Sequence, residues 1–242
     1  MSESLLSATG LGISFGGVQA LTGIDFRLAE GELRCLIGPN GAGKSTFFKL
    51  LTGQYRPTAG CVTIRGTVTA GLEPYQIARL GVGIKTQVPS VFDGLSVDEN
   101  IWLAVRRITG APAARNAVFD VLEETGLEHL SARQVGTLSH GQRQWVELAL
   151  VVASRPSLVL LDEPAAGMSD DEVKRTAQLI TAINRHCALI VVEHDMEFVQ
   201  MIAQKVTVFN RGSILVEGTV DEVLADPRVR DVYLGRDLEM RV

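Results

Sequence analysis

Short apolar runs alternate with amphipathic stretches along most of the chain. Five of these runs are too short for a helix and too uniformly apolar for a half-exposed strand, so we interpret them as strands buried on both faces. They are Leu33–Ile37, Val82–Ile84, Leu158–Leu161, Ala188–Val192 and Val206–Phe209. Between them, apolar residues recur at helical spacing at Trp145, Leu148, Ala149 and Val152, and again at Val173, Ala177 and Ile180. The pattern predicts an α/β core in which crossover helices cover a largely parallel sheet.

Two regions depart from this pattern. Before Leu33, apolar residues alternate with polar ones on either side of a turn at Gly16 and Gly17, which predicts an antiparallel β flap over one edge of the core. Residues 98–130 carry no strand signal and instead place apolar side chains on helical faces. These faces comprise Ile101, Val105 and Ile108, then Val118, Val121 and Leu122. The second region is predicted to be a small helical insert.

Composition narrows the class of protein. The chain has 242 residues, 46% of them hydrophobic and 21% charged, which is typical of a folded globular protein and excludes disorder. A net charge of −5 provides no basic field for nucleic acid, so no nucleic-acid partner is expected. Three scattered cysteines indicate neither a disulfide framework nor a zinc site and favour a reducing cytoplasm. Without a secretory leader or a long apolar run, the chain is not expected to enter or cross a membrane by itself.

A glycine-rich segment follows the first buried run. Residues 38–45 fit the pattern G-x-x-x-x-G-K-[S/T] between a strand and a helical run, and we call them the phosphate loop. Its glycines let backbone N–H groups face a phosphate, and the next helix start adds partial positive charge. Lys44 is expected to reach the β- and γ-phosphates and Ser45 to ligate Mg²⁺. The predicted nucleotide site comprises Asn40, Gly41, Ala42, Gly43, Lys44, Ser45 and Thr46. An ordinary glycine turn has no need of the Lys-Ser pair.

Acidic residues end two other buried runs. Asp162 and Glu163 follow Leu158–Leu161, at the carboxyl end of a strand, where open α/β sheets bind ligands. We expect Asp162 to hold Mg²⁺, directly or through water, and Glu163 to polarise the water that attacks the γ-phosphate. The alternative is a solvated acidic turn closed by proline. Glu193, which ends the next run, competes for the role of base and ranks second.

His194 follows Glu193 directly. A neutral imidazole there donates from one nitrogen and accepts with the other, so it can couple the phosphate to the catalytic carboxylate. The alternative is a polar residue with no role beyond its own hydrogen bonds.

Earlier in the chain, Ser139 and Gln142 stand at the start of a helical run with capping-box spacing. A helix start with a serine hydroxyl and the bare backbone of Gly141 is also an anion site, suited to a second subunit's nucleotide.

These motifs, from Gly38 to His194, resemble the ATP-binding cassette of ABC transporters. The resemblance implies a P-loop NTPase core with a mixed sheet, an N-terminal antiparallel β subdomain and a small helical subdomain. It also implies one ATP-binding domain over residues 1–242. The catalytic core with its β flap covers about 1–88 and 156–242, and the helical subdomain, including the signature helix, covers about 89–155.

The resemblance assigns residues to roles. Residues 138–142 match the signature that meets ATP held by an opposite subunit, so a homodimer or pseudo-dimer is implied; we call them the signature segment. Phe15 lies where the family stacks an aromatic ring on adenine, unless it is plain flap core. Gln87 lies where the family has a glutamine between ATP, Mg²⁺ and the permease, unless it is a solvated loop residue. The implied catalytic residues are Glu163, His194 and Gln87; the ATP ligands include Phe15, Ser139, Gly141 and Gln142; and the Mg²⁺ ligands are Ser45, Gln87 and Asp162.

The sequence departs from the commonest family pattern at two places. His140 replaces a signature glycine, and the loop Ala165–Ser169 lacks its usual final aspartate, for which Asp170 or Asp171 could substitute. The capping-box spacing of Ser169 and Glu172 is the purely structural explanation of that loop. The same departures, together with Glu193–Met196 and the tail Val232–Gly235, resemble importers of branched-chain amino acids and of urea or related small amides. His140 followed by Gln144 and Trp145 favours the urea type.

The helical insert is implied to contact a membrane permease, with a solute-binding protein acting indirectly. Residues 89–95 place apolar side chains in a loop, either for such a partner or to close the local core. The cassette would then lie at the cytoplasmic face of the membrane through its permease. Two alternatives stay open: a soluble ABC ATPase of DNA repair or translation, and the cassette of an exporter. The short insert and the single phosphate loop argue against the first.

Overall fold

The computed structural model describes residues 4–86, 90–109 and 111–232. Its strands are β1 (Leu6–Phe15), β2 (Val18–Leu28), β3 (Leu33–Ile37), β4 (Ala59–Ile64), β5 (Thr67–Val68), β6 (Val82–Lys85), β7 (Leu158–Asp162), β8 (Ala188–Val192), β9 (Lys205–Asn210) and β10 (Ser213–Gly218). Its helices are α1 (Lys44–Leu51), α2 (Pro74–Arg79), α3 (Val97–Thr109), α4 (Ala111–Thr125), α5 (His140–Ala153), α6 (Asp170–Asn184), α7 (Met196–Ile202) and α8 (Val220–Ala225). The fold is α/β, as predicted.

Two sheets organise the molecule. The larger sheet has the order β10-β9-β3-β8-β7-β6, and its strands run parallel except for β10, which pairs antiparallel with β9. All five predicted buried runs lie in it. The smaller sheet has the order β2-β1-β4-β5 and is antiparallel throughout, as expected for the β flap. The sheets are therefore mixed and antiparallel, respectively, which confirms the predicted fold class.

Buried side chains form three clusters. The first lies between the two sheets and includes Phe26, Phe47 and Phe209, and the second lies between the larger sheet and helices α5, α6 and α7. The third consists of residues between Val97 and Ala153, with Ile101 and Val105 buried on α3. The side chain of Ile108 lies outside the described part. The division into a catalytic core and a helical subdomain stays a prediction.

Helix α5 contributes to two of these clusters. Val146 and Ala149 pack into the helical cluster, whereas Leu148 and Val152 pack against the larger sheet. The helix therefore connects the helical insert to the core. Within the described residues, no helix is long and apolar enough to cross a membrane.

Candidate functional site

The phosphate loop follows β3 and turns directly into α1. Gly38 has a φ of 141°, and a side chain there would come within 2.2 Å of the Phe209 carbonyl oxygen, so only glycine fits. Gly43 starts α1 in a left-handed conformation, with no side chain capping the helix and no acidic residue in its first turn. No side chain therefore caps this helix start, whose dipole favours an anion, as phosphate binding requires.

Lys44 is folded back onto the same loop. Its ammonium Nζ donates hydrogen bonds to the carbonyl oxygens of Gly38, at 2.5 Å, and of Pro39, at 3.1 Å. These neutral acceptors hold a nearly buried cation beside the loop. A phosphate oxygen is a stronger, charged acceptor for the same protons. Ser45 and Asn40 are exposed, Thr46 is half-buried, and Ala42 is buried and donates from its N–H to Pro39.

Three neighbouring strands bring the predicted chemical groups to one edge. Strands β3, β8 and β7 are adjacent and parallel, so their carboxyl ends meet. The phosphate loop follows β3, Glu193 and His194 follow β8, and Asp162 with Glu163 ends β7. This is the edge where parallel α/β sheets bind their ligands. Gln87, predicted at the same edge after β6, lies outside the described residues.

The two candidate bases occupy different environments. Glu163 is 30% exposed, and its Oε1 lies 3.4 Å from His194 Nδ1. Glu193 is only 2% exposed and accepts hydrogen bonds from the backbone N–H groups of Ala165 and His194. Burial raises the pKa of Glu193 despite these bonds. Glu163 is therefore the accessible carboxylate beside the histidine, whereas Glu193 holds the loop that follows β7.

Glu163 also has an unusual backbone. Its φ of 47° lies in the left-handed region, which residues other than glycine, asparagine and aspartate seldom adopt. The N–H of Glu163 continues the sheet ladder by donating to Val192. Arg65, Arg155 and Arg211 adopt a similar φ, so this conformation is not confined to the predicted site.

Asp162 lies among both kinds of charge. Burial raises the pKa of Asp162, and the neighbouring Glu163 carboxylate raises it further, while Lys85, Lys49 and Lys44 oppose the shift. Carboxylate, hydroxyl and amide oxygens are the donors that Mg²⁺ takes in proteins. Asp162 and Ser45 carry a carboxylate and a hydroxyl, so they fit the predicted ion, and the predicted amide donor, Gln87, lies outside the described residues.

The signature segment starts α5 with a complete capping box. Ser139 Oγ accepts from the Gln142 N–H at 3.2 Å, and Gln142 Oε1 accepts from the Ser139 N–H at 3.1 Å. Ser139 Oγ also lies 3.0 Å from Glu172 Oε1 on α6. The ring of His140 contacts the Ala166 carbonyl oxygen at 3.2 Å. The signature segment is therefore tied to α6 by Ser139 and to the loop after β7 by His140.

Gln144 and Trp145, the residues that favour the urea type, make hydrogen bonds within the protein. Trp145 Nε1 donates to Thr176 Oγ1 at 2.9 Å, and the side-chain nitrogen of Gln144 lies 3.4 Å from His140 Nε2. They join α5 to α6 and to the signature segment. The urea hypothesis stays a prediction.

The structure also shows how exposed Phe15 and the loop of residues 90–95 are. Phe15 is 44% exposed and meets Tyr55 edge to face at 5.1 Å, so it is not plain flap core. Phe92 is 61% exposed, whereas Val91 packs against the helical cluster, so Val91 helps to close the local core and Phe92 does not. Contact of this loop with a permease stays a prediction. Pro89 lies outside the described residues.

Sequence reasoning missed three groups near this site. The first is a buried ion pair between Lys85 Nζ, at the end of β6, and Glu147 Oε2 on α5, 3.6 Å apart. The second is Tyr55 beside Phe15. The third is the bond from Ser139 to Glu172, for which a local capping box is the only sequence signal.

Comparison with known proteins decides the family. Residues 21–166, more than half of the chain, match the ABC transporter family. The chain belongs to the ABC transporter family. Residues 213–239 also match the branched-chain amino acid ATP-binding cassette transporter family.

Individual relatives of this cassette match over nearly their full length. It is 36% identical to the high-affinity branched-chain amino acid transport ATP-binding protein LivG of Salmonella typhimurium and 34% identical to BraF of Pseudomonas aeruginosa, each over 97% of this chain and 99% of the relative. It is also similar to the crystal structure of the ADP conformation of an ABC transporter ATP-binding cassette, with a TM-score of 0.85 and 26% identity over 96% of this chain and 99% of that one.

Membership confirms the predicted activity in outline. The chain is a nucleotide-binding ABC ATPase that couples ATP hydrolysis to transport. It is the ATP-binding subunit of a transporter complex, whose other part is a membrane permease.

Proposed function

We propose that this cassette powers an importer of branched-chain amino acids by hydrolysing MgATP between two facing cassettes. The match of residues 213–239 to the branched-chain amino acid family and the similarity to LivG and BraF support this solute class. The permease would place the cassette at the cytoplasmic face of the membrane, with a solute-binding protein acting from the far side.

One observation carries the hydrolytic part of the proposal. Adjacent parallel strands deliver the phosphate loop, the Asp162-Glu163 pair and His194 to a single edge of the larger sheet. A cation, a helix start without a side-chain cap and two carboxylates thus share the edge at which we propose that a triphosphate binds. That set of groups is the one used for phosphoryl transfer to water.

ATP would be held mainly by the loop and α1. In our proposal Lys44 exchanges the carbonyl oxygens of Gly38 and Pro39 for β- and γ-phosphate oxygens. The exchange costs little, because the ammonium keeps its hydrogen bonds and gains charged acceptors. Residues Asn40 to Thr46 supply the surrounding backbone donors, and the exposed face of Phe15 stacks on the adenine.

Mg²⁺ would be held by Ser45, Asp162 and Gln87. When bound, the ion neutralises charge on the β- and γ-phosphate oxygens. Asp162 must be ionised for this role, and Lys44, Lys49 and Lys85 favour that form against burial.

Glu163 is the proposed general base. Its carboxylate accepts a proton from water as the water oxygen bonds to the γ-phosphorus, and the bond to the β-phosphate bridging oxygen breaks to release ADP. His194 contacts Glu163 at 3.4 Å and orients it toward the γ-phosphate. Glu193 is excluded from this role in our proposal because it is buried and bonded to backbone N–H groups.

The signature segment completes the site of the opposite cassette. Ser139, Gly141 and Gln142 lie at the start of α5, where the helix dipole favours an anion. Asp170 and Asp171 at the first turn of α6 are exposed and stand where a loop aspartate could reach across such an interface. Phe92, exposed on the loop after residue 89, is proposed to contact the permease.

A pair of matched variants tests the base. Glu163→Gln should keep ATP binding and ATP-driven dimerisation but slow turnover by about 10²-fold or more, as expected for loss of a positioned base. Glu193→Gln, which replaces one carboxylate by its amide at the same sheet edge, is the control and should retain a larger share of turnover. Steady-state ATPase and size-exclusion light scattering measure both. Near-normal turnover in Glu163→Gln, with a large loss in Glu193→Gln, would transfer the role to Glu193.

The solute requires the whole transporter. The cassette, reconstituted with its permease and solute-binding protein, should show ATPase activity that is stimulated by leucine, isoleucine or valine. Stimulation by urea alone would favour the urea hypothesis, and stimulation without any receptor would favour an exporter.

A further inference from the structure

A carboxylate contacts the signature segment. Glu172 Oε1 accepts the hydroxyl proton of Ser139 at 3.0 Å. Its other oxygen, Oε2, accepts from both the N–H and the hydroxyl of Ser169, each at 3.0 Å. One side chain thus joins the start of α5 to the start of α6.

The same side chain covers the neighbouring glycine. Gly141 is buried, and a side chain at that position would come within 2.4 Å of Glu172 Oε1 and 2.9 Å of its Cγ. The bare backbone that makes Gly141 suitable for a phosphate is therefore the backbone on which Glu172 lies. Hydrogen bonds from Ser169 lower the pKa of Glu172, so the group is an anion near neutral pH.

Two anions cannot use this helix start at once. A serine hydroxyl has a single proton to donate, which goes either to Glu172 or to a phosphate oxygen. Like charges a few ångströms apart also repel, the more strongly when an interface closes and excludes water. An incoming γ-phosphate must therefore displace the Glu172 carboxylate.

We propose that Glu172 is a positioning residue for ATP hydrolysis that holds Ser139 and covers Gly141 until the opposite cassette's γ-phosphate displaces it. The inference rests on the in-trans site proposed above. Glu172 then sets the ATP concentration at which two cassettes close, without taking part in the reaction itself. After displacement, the Glu172 carboxylate keeps its hydrogen bonds to Ser169 at the start of α6.

The test compares ATP-driven dimerisation in a hydrolysis-deficient background. In chains carrying Glu163→Gln, adding Glu172→Gln replaces the anion by a neutral, weaker acceptor and should lower the ATP midpoint for dimerisation about threefold or more. The matched control is Glu222→Gln. Glu222 closes a capping box with Thr219 at the start of α8 in the same way, but contacts no part of the signature segment. The control should leave the midpoint unchanged.

Kinetics and a double variant separate positioning from simple helix capping. With Glu163 intact, Glu172→Gln should lower the KM for ATP while kcat changes less than about twofold. In a Ser139→Ala background Glu172→Gln should have a much smaller effect, because the residue acts through the serine hydroxyl. If Glu172→Gln fails to fold, Glu172→Asp keeps the charge but is too short to reach both Ser139 and Ser169, and should lower the midpoint as well.

The failures are distinguishable. A Glu163→Gln chain that stays monomeric at every ATP concentration refutes the in-trans site, and the inference with it. Dimerisation with a midpoint that neither Glu172→Gln nor Glu172→Asp lowers overturns the inference alone. An equal midpoint shift in Glu222→Gln also overturns it, since helix capping would then explain the effect.

Discussion

The buried ion pair between Lys85 and Glu147 gives the most quantitative prediction. Their side chains are 2% and 6% exposed, and the pair joins the end of β6 to the helix that begins with the signature segment. Burial lowers the pKa of Lys85 and raises the pKa of Glu147, and each partner opposes the shift of the other. Each charge is therefore stabilised by its partner against desolvation.

The magnitude follows from the distance. At 3.6 Å and an effective dielectric constant of about 20, the attraction is roughly 4–5 kcal/mol before desolvation is subtracted. Among the described residues Glu147 Oε1 has no hydrogen-bond partner, so the pair is incompletely satisfied there. Removing one partner from a buried pair costs about 3–5 kcal/mol, and the long contact argues for the lower end. At about 2–4 °C per kcal/mol for a chain of this size, Lys85→Met and Glu147→Met should each lower Tm by about 6–12 °C.

Thermal unfolding of the full chain followed by circular dichroism tests this estimate. The double variant, with methionine at both positions, should be clearly more stable than the sum of the single effects predicts, because neither charge is left alone. Single variants that each lose less than about 2 °C, combined with an additive double variant, would refute the argument that the two charges compensate each other.

The remaining predictions use the same chain without partners. Lys44→Ala should lower ATP affinity, measured by calorimetry, by about tenfold or more, since a charge-assisted bond is lost; unchanged affinity would contradict the proposed exchange. Gly38→Ala should lower Tm by several degrees, because the new methyl group meets the Phe209 carbonyl oxygen, and full stability would show that the loop can move. Cys61 should react with a thiol reagent at pH 8 before Cys35 and Cys187. Burial raises the pKa of Cys35, and raises that of Cys187 to about 11, so their reactive thiolates are scarce; fast labelling of all three would contradict this.

The strands show which strand bounds the hydrophobic pattern could predict and which it could not. Strands β3 and β8 have the predicted bounds because every residue in them is buried and all but Arg34 are apolar. Strand β6 extends one residue further, to Lys85, whose place inside the molecule depends on Glu147, far along the chain. Hydrophobicity cannot predict a buried lysine. Strand β4 was also missed, since its pairing with β1 is a long-range contact between short, mixed sequences.

For the candidate site, too, the sequence predicted some features and not others. Residues that follow buried parallel strands could be assigned to one edge, because strand direction alone brings those ends together. The spacing of Ser169 and Glu172 predicted a capping box, which is present. The same carboxylate also reaches Ser139, and that second contact depends on how α5 and α6 pack. Local spacing explains the first bond and contains no information about the second.

The backbone at Glu163 carries a consequence for engineering. A left-handed conformation costs a residue with a Cβ atom roughly 1–2 kcal/mol, a penalty that glycine avoids. Directed evolution for heat resistance alone would therefore tend to replace the carboxylate proposed to accept a proton from the water that attacks ATP. Screens for thermally more stable variants of this cassette should keep Glu163 unchanged, because stability favours glycine at this position and turnover favours glutamate.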